Sequence, residues 1–186
     1  AFQLNSINKS VSYRFACVCY RDPVDSLLDV HQFSDFNSNI ENLSIYLEKV
    51  EAFGGGDIPE DFVGALNMAL DKLSWDADSK KAIIWIADAP AHGKLYCGED
   101  NHQEEEPKLS PLVKKLADEQ YYFVGISLNG GADKTFTEMK STYLENKGKS
   151  FKIVSFTPDE NDEVSDIGQT LQRSTLGIVD EAIRDF

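Results

Sequence analysis

Hydrophobic residues follow two alternating patterns along the chain. Five segments are dense in β-branched and aromatic residues and are predicted to be strands: 11–20, 30–36, 81–89, 121–128 and 151–156. Five others repeat apolar residues every three or four positions and are predicted to be helices: 40–53, 62–75, 111–120, 134–146 and 163–186. Because strands and helices alternate over most of the chain, the pattern predicts an α/β fold, with a doubly wound, mostly parallel sheet and helices on both faces.

Local signals refine the middle of this pattern. The segment 81–89 (KAIIWIADA) is apolar almost throughout, which predicts a central parallel strand covered on both faces. The segment 91–108 is rich in Glu and contains glycine and proline, which predicts a polar loop. Ser110 is then expected to cap the following helix, with Pro111 at its first position.

Length, charge and cysteine content limit the function classes. The chain has 186 residues, which suits a single domain spanning 1–186. Its formal net charge of -14 disfavours binding to nucleic acid or to an anionic membrane surface, because phosphates are repelled. No apolar run approaches the roughly 20 residues that span a bilayer, and no signal peptide is recognisable. The 3 cysteines lack a disulfide framework, which favours free thiols and a reducing, cytoplasmic location.

Charged residues follow the predicted strands at the edge where open α/β sheets bind ligands. Arg21 and Asp22 come after the first strand, and Asp88 ends the segment 81–89. Carboxylate oxygens suit Mg²⁺, so Asp57 and Asp88 are predicted to hold a divalent ion if their loops converge. For Asp22 and Asp57 the alternative is an ordinary turn or helix-cap role. A charge directly after a buried strand, as at Asp88, requires a partner or a function.

Other chemistries find little support in the sequence. The glycines of GGGD (54–57) match neither GxGxxG nor a P-loop, so they do not indicate a nucleotide site. His92, Cys97 and His102 share one loop, but they lack a zinc-site spacing, and exposed loop histidines are the favoured interpretation. No catalytic triad is recognisable, which favours binding over catalysis.

Several motifs together resemble one family. The run FACVCYRD (15–22), the stretch 33–75 with its GGGDIPED (54–61), and the run KAIIWIADAPAHGKLY (81–96) are similar to segments of von Willebrand factor A domains of the type linked to eukaryotic alpha-kinases. The resemblance covers 11–156. It implies a Rossmann-like domain that binds other proteins and is not an enzyme.

The resemblance also implies a metal site. In that family, a metal-ion-dependent adhesion site holds a divalent cation such as Mg²⁺. Its third element, an Asp after a strand, matches Asp88, and its second falls in 56–59, where Ile58 replaces the usual Thr and Asp57 is the candidate substitute. The first motif, DxSxS, is missing from the chain. Further residues are expected around the ion without binding it directly: Asp22, Arg21, Gly56, Glu60 and His92.

Three functions are compatible with this resemblance. In the first, a metal site accepts an acidic side chain of a partner protein, and the surrounding loops supply specificity. In the second, the chain is the targeting or regulatory domain of an alpha-type protein kinase. In the third, it is a metal-free structural subunit of an assembly. Because the central strand that carries DxSxS is missing, a segment upstream of Ala1 or a partner chain is expected to supply that strand.

Overall fold

The computed structural model of the chain describes residues 11–22, 31–52, 57–98, 102–157, 168–169, 172–173, 176–177 and 180. The strands and helices named in this part are β1 (Phe15–Cys19), β2 (Gln32–Asn37), α1 (Ile40–Leu47), α2 (Phe62–Asp71), β3 (Ala82–Ala87), α3 (Glu106–Asp118), β4 (Tyr122–Leu128), α4 (Asp133–Glu145) and β5 (Ser150–Phe156). Their order agrees with the sequence pattern. The described residues beyond 157 are helical, but most of the predicted helix 163–186 lies outside the described residues. Within the described ranges no helix is both long and apolar enough to cross a membrane.

The chain divides into two compact units. Unit 1 comprises Ala1–Gly56 and Gly64–Ala77, and unit 2 comprises Asp57–Val63 and Asp78–Phe186. Among the described strands, β1 and β2 form the sheet of unit 1, and β3, β4 and β5 form the sheet of unit 2. The assignment of the whole chain to a single domain stays a prediction.

Unit 1 contains an antiparallel strand pair followed by a short helix. β1 pairs with β2, with Cys17 opposite Ser34. α1 begins after Asn39, whose side chain accepts a hydrogen bond from the Glu41 amide and so satisfies one free N–H group of the first turn. The helix ends at Leu47, short of the predicted end, and none of its residues is buried. The apolar stripe of α1 therefore extends beyond the helix itself.

Side chains around Asp35 tie β2 to the segment that follows α2. The Asp35 carboxylate accepts hydrogen bonds from the Ser74 hydroxyl (2.6 Å) and the Ser74 amide (2.8 Å), and these bonds lower the pKa of Asp35. Beside them, the rings of Phe36 and Trp75 meet edge to face with centroids 4.6 Å apart. The Arg14 guanidinium lies 5.1 Å from the Phe36 ring centroid. The two ends of the stretch 33–75, which carries part of the family resemblance, are thus joined in unit 1.

Unit 2 is built on a parallel sheet. β4 lies in the middle, with β3 on one side and β5 on the other, and both pairings are parallel. Parallel neighbours need a crossover connection, and α3 and α4 provide the two that this sheet requires. The predicted α/β class with a mostly parallel sheet is confirmed.

Stacked aromatic rings cover one face of this sheet. Trp85 of β3 stacks on Phe62 with ring centroids 4.6 Å apart, and Phe123 of β4 stacks on Phe151 of β5 at 4.3 Å. Such pairs contribute about 0.5–1.5 kcal/mol beyond the area they bury. With one further ring from α4 they form what we call the aromatic layer: Phe62, Trp85, Phe123, Phe136 and Phe151.

The glycine in the middle of β4 makes room for this layer. A Cβ on Gly125 would lie 2.7 Å from the Phe136 ring, closer than real Cβ contacts allow. The Phe136 ring therefore occupies the space that a side chain would fill at Gly125. It lies 6.0 Å from Phe62 and 6.4 Å from Trp85 between ring centroids, so α4 is fixed against the sheet at this point.

The opposite face of the sheet is covered unevenly. Val124 and Ile126 of β4 are buried, but Ile84 and Ile86 of β3 are 37% and 45% exposed. The prediction that the segment 81–89 is covered on both faces is therefore wrong for β3. Among the described strands β3 pairs with β4 alone, so it is an edge strand. A continuous apolar run does not distinguish an edge strand from a central one.

α3 begins earlier than predicted. The helix is Glu106–Asp118, so Pro111 lies inside it and Ser110 is not its cap. Both expectations for this helix boundary were wrong. Pro107 occupies the first turn instead, where a missing N–H costs nothing. Leu109 is fully buried, so the apolar stripe that holds α3 starts before the predicted first position.

Replacing the ring that fills the space above Gly125 tests the aromatic layer. Phe136→Ala is expected to lower the free energy of unfolding by about 3–5 kcal/mol, because a buried ring is lost and a cavity remains. Leu144→Ala is the matched control on the same helix, since Leu144 is 49% exposed and should lose little. Urea denaturation followed by circular dichroism measures both variants. Similar losses for the two would contradict the role assigned to the layer.

Candidate functional site

Two loops run side by side at the carboxyl end of β3. The Glu60 amide donates a hydrogen bond to the Pro90 carbonyl (2.9 Å), and Glu60 and Ala91 form an isolated parallel bridge. Asp57 and Asp88 each precede this bridge by the same number of residues. Because the segments are parallel, both aspartates lie at the same end of unit 2.

The two aspartates differ in their surroundings. Asp57 is partly buried, and its Oδ1 atom is inaccessible and has no hydrogen-bond partner among the described residues. Asp88 is exposed, so water solvates its carboxylate. The sequence argument gave Asp88 either a partner or a function; its exposure removes the need for a partner, and the function stays a prediction. The buried, partnerless oxygen belongs to Asp57, and the role of both residues in metal binding stays a prediction.

The turn after β4 closes against Asp88. A Cβ on Gly131 would lie 1.7 Å from the Asp88 carbonyl oxygen, so only glycine allows this approach of two backbone segments. At the same turn, Asp133 accepts a hydrogen bond from the Ser155 hydroxyl at 2.8 Å. The loops after β3 and β4 and the carboxyl end of β5 thus meet at one rim.

Two buried hydroxyls hold these loops in place. Thr135 Oγ1 accepts a hydrogen bond from the Ala91 amide (3.0 Å), and Ser127 Oγ accepts one from the Ala132 amide (3.1 Å). Both hydroxyl residues are fully buried. Sequence reasoning missed their role, because Ser127 lies within an apolar strand and Thr135 within a helix. The available signal was a small polar residue at an otherwise apolar, buried position.

The loop that follows Ala91 is more ordered and more buried than predicted. His92 is only 3% exposed, and its ring meets the His102 ring edge to face at 4.9 Å, so the expectation of an exposed histidine is wrong for His92. Gly93 has a φ of 116°, which favours glycine. Glu106 accepts a hydrogen bond from the Leu95 amide (2.7 Å) and thereby joins this loop to α3.

The remaining predicted rim residues lie in unit 1 or outside the described residues. Arg21 is buried and donates a hydrogen bond to the Glu51 carbonyl at 2.5 Å. Asp22 is 1% exposed. Both belong to unit 1, so their expected position around the ion stays a prediction. Gly56 lies outside the described residues.

The residues at this rim fit part of a site for a hard cation. Asp57 and Asp88 supply carboxylates from two adjacent loops, and one oxygen of Asp57 is buried without a partner. No group of three or more His, Cys, Asp or Glu side chains that could hold an ion occurs within the described ranges. Mg²⁺ keeps several of its waters and is often held by one or two carboxylates, so the two aspartates suit a partly hydrated ion.

Removing one buried acceptor tests how the loops are held. In Thr135→Val the Ala91 amide loses its hydrogen bond while remaining buried, so the free energy of unfolding should fall by about 1–3 kcal/mol. Thr137→Val is the control, because that exposed hydroxyl on the same helix donates only to the Asp133 carbonyl. Urea denaturation measures the two losses. If Thr137→Val costs as much as Thr135→Val, the buried bond does not fix the loop.

Known proteins share parts of this sequence. No protein-family model matches the chain. It is 30% identical over 128 residues to the alpha-protein kinase vwkA of Dictyostelium discoideum, an alignment that covers 65% of this chain and 20% of the kinase. It is 36% identical over 77 residues to a putative ariadne-like RING finger protein of Acanthamoeba polyphaga mimivirus, covering 41% of this chain and 7% of that protein. The chain thus spans a fifth or less of these relatives.

A solved structure shows the same fold. The VWA domain of SpRpn10 superposes with a TM-score of 0.55 and 14% sequence identity, over 84% of this chain and 71% of that domain. Its sequence likeness is too low to carry more than the fold. The sequence motifs, the parallel sheet and this superposition agree, and the chain has a von Willebrand factor A-like fold.

Proposed function

We propose that this domain binds a partner protein at the carboxyl edge of its parallel sheet, through a divalent cation held by Asp57 and Asp88. The observation that carries the proposal is the parallel bridge between Glu60 and Ala91, because it brings the two aspartate loops side by side. The partnerless Oδ1 of Asp57 adds support, since a buried carboxylate oxygen without a hydrogen bond favours a cation as its neighbour.

Each rim residue has a distinct part in this proposal. The ion, when bound, supplies an open coordination position for a carboxylate of the partner protein. Asp57 and Asp88 orient the ion through their oxygens, and the backbone bond of Glu60 fixes the spacing of their loops. The packed rings of His92 and His102 support the loop after β3.

The two curated relatives support binding as the shared property. One is described as a protein kinase and the other as a RING finger protein, and the alignments cover 20% and 7% of their lengths. Different activities attached to a similar segment are expected when that segment supplies recognition and other parts of the protein supply chemistry. The same observation favours a second candidate, in which this domain targets or regulates an alpha-type kinase.

A third candidate is a structural subunit that accepts a strand. The exposed Ile84 and Ile86 on β3, together with the edge position of that strand among the described ones, favour it. A partner segment that pairs with β3 would cover such an edge. This candidate does not require a metal, and the metal titration below therefore separates it from the leading proposal.

Calorimetric titration with Mg²⁺ and Mn²⁺ tests the ion. We expect the unaltered chain to release or absorb heat on binding and Asp88→Ala to lose at least about tenfold in affinity, because even groups that merely orient ligands contribute about 10–100-fold. Asp118→Ala, which removes an exposed carboxylate at the end of α3, is the charge-matched control and should bind normally. Equal heats from Asp88→Ala and the unaltered chain would reject the site.

A peptide array tests the partner chemistry. Immobilised peptides that contain Asp or Glu are compared with copies carrying Asn or Gln, in Mg²⁺ and in a chelator. Binding that needs both the carboxylate and the cation supports the proposal. Binding that survives the chelator favours the metal-free candidates.

A further inference from the structure

Unit 1 brings two thiols together on one strand. Cys17 and Cys19 alternate on β1, so their side chains share one face of the strand. Their Sγ atoms are 3.7 Å apart, and both are partly buried free thiols. Beside Cys17 the pairing register of β1 with β2 is irregular, a feature that bends and twists a strand. The third cysteine, Cys97, belongs to unit 2.

The distance between the two sulfurs fits two ligands of one metal ion better than a disulfide bond. A disulfide requires about 2.05 Å between sulfurs and Cα atoms no more than about 6.8 Å apart. Alternate residues of an extended strand are about 6.6 Å apart, close to that limit. Two thiolates on a tetrahedral zinc ion, each at about 2.3 Å, have their sulfurs about 3.8 Å apart. The 3.7 Å between the Sγ atoms of Cys17 and Cys19 is close to this zinc-bound distance.

A hydrogen bond and a nearby positive charge favour the thiolate form of Cys19 near neutral pH. The hydrogen bond from Cys17 lowers the pKa of Cys19 to about 7, and the positive charge of Arg21 acts in the same direction. The same bond, together with burial, raises the pKa of Cys17. The buried Tyr46 hydroxyl has no hydrogen-bond partner among the described residues. Burial, and then the charges of Cys19 and Cys17, raise the pKa of Tyr46.

We infer that Cys17 and Cys19 form a binding site for one soft d10 cation, Zn²⁺ or Cu⁺, held by both Sγ atoms. Thiolates select such ions over Mg²⁺. Binding displaces the proton of Cys17, which is released, and leaves two thiolates on one ion. No third His, Cys, Asp or Glu completes the set within the described ranges, so Zn²⁺ would take water in its remaining positions, whereas Cu⁺, which two sulfurs can satisfy, would require them to move apart toward a linear arrangement. The site is independent of the ion proposed at Asp57 and Asp88.

Cobalt substitution tests the sulfur ligands. The reduced full-length chain is titrated with Co²⁺ without oxygen, and thiolate-to-cobalt charge-transfer absorption is recorded before displacement by Zn²⁺. A separate titration against a Cu⁺ chelator compares the two cations. We expect a saturable band in the unaltered chain and at least about a tenfold loss of affinity in Cys17→Ser and in Cys19→Ser. Cys97→Ser and Asp88→Ala should keep the band, which separates this site from Cys97 and from the carboxylate site.

Alkylation mapping gives a second measurement that needs no substitution. Zn²⁺ is expected to slow the reaction of iodoacetamide with Cys17 and Cys19 together and to leave Cys97 unchanged, as resolved by mass spectrometry. The inference is overturned if the unaltered chain gives no charge-transfer band, if the band survives in Cys17→Ser, or if Zn²⁺ fails to protect the pair selectively. Isolation of the chain with a Cys17–Cys19 disulfide that persists in the presence of a thiol reductant would also overturn it.

Discussion

The packing of Phe136 against Gly125 is the contact on which unit 2 depends. A side chain at Gly125 and the ring of Phe136 exclude one another, so the glycine determines where α4 lies on the sheet. The same ring reaches Phe62 and Trp85 and completes a continuous aromatic layer. Protein interiors are packed as densely as organic crystals, and a layer of this kind therefore transmits its geometry to the loops that leave it.

The candidate site begins one residue away from that layer. Thr135, which holds the loop after β3, is followed by Phe136 in the first turns of α4. Glu60, which pairs with the same loop, is separated from Phe62 by one residue. The residues that pack the interior and those that position the aspartate loops are thus neighbours in the chain. Core packing and loop geometry in unit 2 are set by the same short segments.

Much of the fold was predictable from hydrophobic spacing, and the errors have common causes. The order of strands and helices and the parallel sheet follow from the alternating patterns, and the motifs led to the von Willebrand factor A-like fold. The start of α3, the exposure of Ile84 and Ile86 and the burial of His92 depend on which tertiary neighbour is present, and local sequence does not contain this information. The supporting hydroxyl of Thr135 was missed because it accepts from an amide 44 residues away, and that of Ser127 because its role depends on how the turn after β4 folds back.

The bridge between Glu60 and Ala91 stands alone, without a ladder on either side. The Ala91 backbone is also held from a second side, by the buried Thr135 hydroxyl. The loop after β3 is therefore fixed to α4 independently of the bridge, and the segment of Asp57 is joined to that loop through the Glu60 amide. Whatever touches both Asp57 and Asp88 would add a further link between the two segments, so binding at this rim would raise the free energy needed to separate them.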